Sequence, residues 1–417
     1  MKKSVMTAVA AVVCAAMGLC ACSSEGENAF TGDETKEPEY QAKLNAISPE
    51  AYNNVENLDL EPGTYISVIG KEDESAYWKQ VKKGVEQAAA DLNEELGYSG
   101  DDKINVIFNA PGEPGDIDEQ VNILDEELAR YPDVIAISSI DGEASAVQFD
   151  LATMNGIPVV AFESGNTYQG IQSTCTTDNA KAAADAAKRL CESVDEEGEV
   201  VLIAEDSVSN SVKEQISGFT QELSANHLDV TFAGTIYMDQ LDSLKRQAAA
   251  EELDIPYEEV VKAAASVSGE ENAAGADGGD DTQKAAELLE QVDEVADKME
   301  DSEAIAWYFG QHPELKGCLA ASAEASQLVL DALDSADGDN EISVIGFDAG
   351  SEQLEALENG ELDGLIVQNP FGMGYAAVVA SARTVLQIGN EARVDTGYVW
   401  VDQENMDNEN IRAMLYE

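Results

Sequence analysis

From Thr64 onward, apolar positions along the chain follow two alternating rhythms. Short, nearly continuous apolar runs at residues 65–69, 104–108, 134–137 and 157–162 predict strands buried on both faces. Between them, Val81, Val85, Ala88 and Leu92 fall at helical spacing, as do Ile117, Val121, Leu124 and Leu128. Residues 146–154 continue as a third helix. Strands and helices taking turns in this way argue for a parallel sheet covered by helices on both faces.

The rhythm starts again at residue 179. Helices are expected at 179–191, 211–223, 285–309, 325–333, 351–358 and 373–386. Strands are expected at 200–204, 230–236, 318–320, 342–346, 365–368 and 398–401. The total suits an α/β chain of two doubly wound lobes of similar size. Each would present ligand-facing loops at the carboxyl ends of its strands.

Two stretches lack the rhythm. Residues 22–61 are polar and acidic and read as a tether, with a short helix near residues 39–47. A flexible tether of that length reaches on the order of 35 Å. Residues 240–284 are rich in Ala and Glu and include the acidic, glycine-bearing run from Gly269 to Asp281. They read as a solvated insertion with too little apolar surface to order itself.

Composition narrows the chemistry. The chain has 417 residues, with 23 Lys and Arg against 83 Asp and Glu, a formal net charge of −60. Such a surface argues against nucleic acid, which needs cations to neutralise its phosphates. It also disfavours adhesion of the protein surface to anionic lipid. The two histidines, His227 and His312, are too few for a His-built metal site or a Ser-His-Asp triad. No GxSxG, HExxH or P-loop pattern occurs, so binding rather than catalysis is expected, with no metal and no cofactor. Asp337, Asp339 and Glu341 alternate oxygen donors but miss the EF-hand pattern, and a helix-to-strand turn accounts for them.

The N-terminus carries an address. Lys2 and Lys3 precede an apolar run from Val5 to Leu19, the length of a signal-peptide core and short for a membrane span. The run ends in Leu19-Cys20-Ala21-Cys22, which resembles the bacterial lipobox. Residues 1–21 are then a lipoprotein signal peptide, and Cys22 is the lipidated residue that anchors an extracytoplasmic protein to the cell membrane. Cys175, Cys191 and Cys318 remain beyond it. One disulfide among them is open, Cys175 and Cys191 being nearest in sequence.

Several further motifs occur in order. Glu74-Ser75-Ala76-Tyr77-Trp78 follows the first strand and leads to Lys82-Lys83-Gly84. Gly156-Ile157-Pro158-Val159-Val160 leads to Phe162-Glu163-Ser164, and Thr177-Asp178-Asn179 opens the second half. Val344-Ile345-Gly346-Phe347-Asp348 and Val367-Gln368-Asn369-Pro370-Phe371-Gly372-Met373-Gly374 complete the set. With these motifs, residues 64–402 outside the insertion resemble type I periplasmic sugar-binding proteins of ABC importers, the ribose and galactose group. LacI-type regulators share that fold, but no helix-turn-helix precedes it here.

The resemblance implies two doubly wound lobes joined by a three-crossing hinge, the crossings falling near residues 177–178, 368–369 and 399–402. Lobe 1 would comprise residues 62–177 with 369–400, and lobe 2 residues 178–368, leaving 401–417 as a C-terminal tail. It also implies a ligand site. Tyr77 and Trp78 match the aromatic clamp, which suits the apolar C–H face of a sugar. Ser75 stands where the family places a polar hydrogen-bonder. Glu163 and Asp348 match acidic ligand-binders, and Gln368 an amide at a hinge crossing. Ser164 replaces a frequent Arg, and Ser322 a usual Asn, with Ala323 where Asp is common. Lys213 stands where Arg is expected and lacks its bidentate fork. Thr177, Asp178 and Asn369 fall at the hinge, Asp178 and Asn179 reading as helix caps.

The expected function is therefore capture of a small polar ligand, a sugar by resemblance, through lobe closure. Delivery to an ABC permease and its ATPase would follow. A ligand-sensing co-receptor for a membrane kinase or chemoreceptor is the alternative. The family default is a monomer.

Overall fold

The computed structural model describes residues 38–268, 279–335 and 342–416. The expected signal peptide and lipidated Cys22, the acidic run around Gly275 and the expected turn at Asp337, Asp339 and Glu341 lie outside the described residues. Among the described residues, no helix is long and apolar enough to cross a membrane.

In chain order the first half holds α1 (Gln41–Asn45), β1 (Tyr65–Ile69), α2 (Ala76–Leu96), β2 (Asn105–Asn109) and α3 (Ile117–Ala129). Then come β3 (Val134–Ile137), α4 (Ala146–Met154), β4 (Val159–Phe162) and β5 (Ile171–Thr176). The second half begins with α5 (Asn179–Ser193), β6 (Gly198–Ala204), α6 (Asn210–Asn226) and β7 (Val230–Tyr237). Four helices follow: α7 (Leu241–Glu252), α8 (Tyr257–Ser268), α9 (Gly279–Ala296) and α10 (Asp301–Gln311). The chain continues through β8 (Leu315–Ala320), α11 (Ala323–Ser335), β9 (Ser343–Phe347), α12 (Ser351–Asn359) and β10 (Gly364–Gln368). It closes with α13 (Pro370–Val385), β11 (Arg393–Asp395), β12 (Tyr398–Val401) and α14 (Glu409–Arg412).

The strands make two six-stranded sheets of matching order, β11-β5-β4-β3-β1-β2 and β12-β10-β9-β8-β6-β7. All neighbours are parallel except β12, which runs antiparallel to β10. The central strands of both sheets, among them β3, β4 and β10, are buried on both faces, as their continuous apolar runs require. One face of the first sheet packs Val81, Val85 and Leu92 of α2 with Val378 and Val379 of α13. The other face packs Leu124 of α3 and Phe149 of α4. In each lobe one helix pair approaches to backbone contact through glycine. A Cβ on Gly84 would sit 2.0 Å from the Phe371 carbonyl oxygen, and one on Gly218 would sit 1.9 Å from that of Ala180.

The two-lobed α/β architecture is the expected one, and four boundaries move. First, the tether expected over 22–61 ends earlier. Leu44, Ile47, Tyr52, Val55, Leu58 and Leu60 are buried in the first lobe's core, and Ser48 bridges to Asp395. Their apolar side chains are spaced singly, without a period, so the pattern hid them. Second, the insertion expected to stay unordered forms α7, α8 and the start of α9. Ala249, Ala250, Val260, Val292 and Ala296 build a small core of their own. Alanine's helix propensity and small volume let helices pack where bulkier apolar residues are scarce. Third, the helical stretch expected over 285–309 is made of two helices, broken between Ala296 and Asp301, where Glu300 and Glu303 form a capping box. Fourth, the tail expected from 401 belongs to the second lobe: Val401 pairs with Leu365, and Met414 and Tyr416 are buried.

The chain passes between the sheets three times, at residues 177–178, at Asn369, and at residues 396–397 between β11 and β12. The last lies slightly before the expected 399–402, because β12 already belongs to the second sheet. Asn369 ties the second crossing to the third: its Oδ1 accepts from Gly372 N–H, and its Nδ2 donates to the carbonyls of Lys43 and Thr396. Asp178 caps α5 by accepting from Lys181 N–H, and Thr177 is fully buried. Cys175, Cys191 and Cys318 are buried free thiols.

Candidate functional site

The carboxyl ends of both sheets face one cavity of about 470 Å³ between the lobes. Each sheet reverses its winding at its first strand, β1 or β6, and such switch points are where open α/β sheets take ligands. Lys71 follows β1 and Glu205 follows β6, so the two lobes offer opposite charges from equivalent positions. Glu163 follows β4 and Asp348 follows β9, again equivalent, and both residues hold left-handed backbone, φ 50° and 68°. That conformation costs an ordinary side chain on the order of 1 kcal/mol and is concentrated at functional positions.

The first lobe supplies a platform. Ser75 caps α2, accepting from Trp78 N–H at 3.3 Å, and its own hydroxyl donates to Glu72. The cap turns Tyr77 and Trp78 to the cavity at the helix start. Trp78 is buried and meets Tyr77 and Phe162 edge-on at 5.9 and 6.2 Å. The Tyr77 hydroxyl donates to Met373 Sδ at 3.2 Å. Glu163 accepts from the Ser138 hydroxyl at 2.6 Å.

Lys71 is the cation of the cavity. It is 6% exposed and lies 3.9 Å from Glu163, 3.7 Å from Glu205 and 3.8 Å from Asp206. Burial would discharge the amine, but the three carboxylates outweigh it and hold the pKa above the ordinary lysine value.

The second lobe supplies an acidic wall. Asp348 is buried, and burial pushes its carboxyl up to about 7. Glu324 raises it further, while Tyr416 and Gln368 oppose the shift. Gln368 Nε2 donates to both Asp348 oxygens at 3.3 and 3.4 Å. The Glu205 carboxyl, 48% exposed, is pulled down by Lys71 and raised by its acidic neighbours Glu163, Asp206 and Glu324, with the net direction upward. Ser322 lines the cavity, but its hydroxyl accepts from Ala325 N–H and so caps α11.

Among the expected ligand residues, Ser75, Tyr77, Trp78, Glu163, Ser322, Asp348 and Gln368 line this cavity. Ser164 and Lys213 do not; they line a separate recess on the hinge side with Arg393 and Glu214. Lys213 is turned away because its ammonium donates to the Val208 carbonyl at 2.6 Å, closing the turn before α6. The buried Ser164 hydroxyl lies 3.3 Å from that of Ser211 on the other lobe. The residues that sequence reasoning missed are Lys71, Glu205, Asp206, Gln215, Glu324 and Tyr416. Lys71 and Glu205 had a readable signal, since each stands just past an apolar strand. Tyr416 had none: it reaches the site from the chain's far end.

The fold is shared by many solved structures. A carbohydrate transporter solute-binding protein from Agrobacterium radiobacter, in complex with D-arabinose, is 23% identical with a TM-score of 0.63. The match covers 84% of this chain and 98% of that one. An ABC transporter solute-binding protein from Agrobacterium vitis with bound D-fucose is 21% identical at the same TM-score, covering 84% and 100%. A sugar-binding protein of a sugar ABC transporter from Bacillus halodurans is 24% identical with a TM-score of 0.59, covering 82% and 99%. No curated protein matches the sequence significantly. The model of the periplasmic binding protein domain matches residues 66–276 and 270–390, most of the chain. The chain belongs to the periplasmic binding protein domain family, whose members bind rather than catalyse.

Proposed function

We propose that this is an extracytoplasmic substrate-binding protein, lipid-anchored at Cys22, that captures a small polar ligand of the sugar class. It would hand that ligand to an ABC permease and its ATPase. The observation that carries the reading is the cavity itself, where an aromatic platform from one lobe faces hydrogen-bonding carboxylates and an amide from the other. Tyr77 and Trp78 suit the C–H face of a pyranose or furanose ring. Glu163, Asp348 and Gln368 suit its hydroxyls, which donate to carboxylates and exchange hydrogen bonds with amides.

Closure would be the switch. A ligand that touches both walls binds the closed form with greater affinity and shifts the lobes toward it. The first test is native mass spectrometry of the full-length chain purified in mild detergent, with the released ligand identified. A co-purified sugar that is lost from Trp78→Ala supports the reading. An empty protein, with no thermal shift on a panel of pentoses and hexoses, sinks the sugar assignment.

A further inference from the structure

The cavity's charges do not balance. Eight carboxylates line it, those of Glu72, Glu74, Glu163, Glu205, Asp206, Asp239, Glu324 and Asp348, against the single ammonium of Lys71. Some are already used within the fold. Glu72 accepts from the N–H groups of Glu74 and Ser75, Asp206 from those of Val208 and Ser209, and Asp239 from that of Ser207. Glu74 pairs with Lys79 at 3.6 Å. Lys71 is shared by Glu163, Glu205 and Asp206. Asp348 and Glu324 are left with no cation among the described residues.

Two more observations point the same way. Asp348, Glu324, Tyr77 and Tyr416 line an adjoining recess, so the two uncompensated acids share a corner with aromatic rings. Gln215, only 4% exposed, lines the main cavity with its Oε1 acceptor unpartnered. The unmet groups are thus acceptors and anions. The raised carboxyl of Asp348 agrees: burial and the neighbouring Glu324 both disfavour its charge where no cation offsets it.

We propose that the cleft is built for a sugar-sized polyol bearing a protonated amine, the ammonium seated between Asp348, Glu324 and the Tyr77 ring. This rests on the binding-protein reading above and narrows its ligand. A neutral sugar can hydrogen-bond the buried Asp348 but brings it no opposite charge, and it leaves Glu324 at the exposed mouth facing water. An ammonium neutralises them, donates three hydrogen bonds and stacks on an aromatic face.

The test is calorimetric titration of the full-length chain in detergent with three matched pairs: glucosamine and glucose, galactosamine and galactose, mannosamine and mannose. In at least one pair the amine is expected to bind about tenfold or more tightly, the worth of one added charge contact. N-acetylation, which removes the charge, should abolish that preference, and Glu324→Gln at the exposed mouth should shrink it severalfold. Neutral members binding as well as amines would overturn the inference and leave the sugar-receptor reading standing. A preference that survives both N-acetylation and Glu324→Gln would overturn it equally. No binding in any pair also removes the inference, while the receptor reading is judged separately on the ligand released from the purified protein.

Discussion

The two lobes are built to one plan and armed differently. Their sheets share an order, their helix pairs touch through glycine (Gly84 and Gly374 in the first, Gly218 in the second), and their loops reach the cavity at equivalent positions. Yet the first lobe brings Trp78, Tyr77 and a buried ammonium, whereas the second brings Glu205, Asp206, Glu324 and Asp348. In the first lobe the polar groups are satisfied locally: Ser138 holds Glu163 and Ser75 caps its helix. In the second, Asp206 is held by its own turn and Asp348 accepts from Gln368. Across the cavity Lys71 meets Glu205 and Asp206 at 3.7 and 3.8 Å, while Asp348 and Glu324 have no cation among the described residues. The first lobe supplies the aromatic platform and the ammonium, and the second the acids that have none.

The strongest way to break the comparison is to remove its one cation. Lys71→Met should cost ligand affinity on the order of 100-fold or more, because Glu163, Glu205 and Asp206 lose their shared partner in a buried site. Calorimetry on the released ligand reads this directly. Affinity within a few-fold of wild type would mean that the lobes do not meet through Lys71 in the bound state.

Next is the pH dependence of the ligand-free protein. Asp348 ionises near 3.8 when unfolded and near 7 when folded. The folded state therefore holds the proton more tightly, and the stability this confers is complete below about 4. It is lost as pH rises through about 7, a change of up to roughly 4 kcal/mol at this buried site. The melting temperature of wild type relative to Asp348→Asn should fall between pH 5 and pH 8. A constant difference would show that the acidic wall is solvated, not buried, and the contrast between the lobes would weaken.

How far the sequence carried this picture depends on where the information sits. The paired strands with continuous apolar runs were legible, and so were Glu163 and Asp348, each just past such a strand. β5, with Gln172, Ser173, Thr174 and Thr176 among its residues, was not, and neither was three-residue β11. Their pairing is enforced by neighbours, Arg393–Asp395 lying alongside Thr174–Thr176, and not by their own pattern. Lys213 is expected in the site through the resemblance, because it stands where the family carries an Arg at a helix start. Only three-dimensional packing shows its ammonium bound back to Val208 and Lys71 occupying the cation's place.

The shared plan can be tested by filling each lobe's glycine contact. Gly84→Ala and Gly218→Ala both place a methyl within 2.0 Å of a facing carbonyl oxygen. Each should destabilise its lobe by about 3 kcal/mol, since backbone cannot move aside as a side chain does. Thermal melts of the two variants should lose similar amounts. A large loss in one and a small loss in the other would show that the helix pairs, though alike in geometry, are not alike in tolerance.

The smallest effect is expected at Lys213. Its side chain is exposed, lies in the hinge-side recess and donates to the Val208 carbonyl, so it reaches neither the aromatic platform nor the acidic wall. Lys213→Ala removes one exposed charge and one hydrogen bond to a loop carbonyl. An exposed contact of this kind contributes at most about 1 kcal/mol to stability. Ligand affinity should change by less than about twofold, within what a distant surface charge does in moderate salt. A tenfold loss would require that ligand draws the first turn of α6 inward until Lys213 faces the cavity. The second lobe would then own a cation after all, and the division between a platform lobe and an acidic lobe would hold for the empty protein alone.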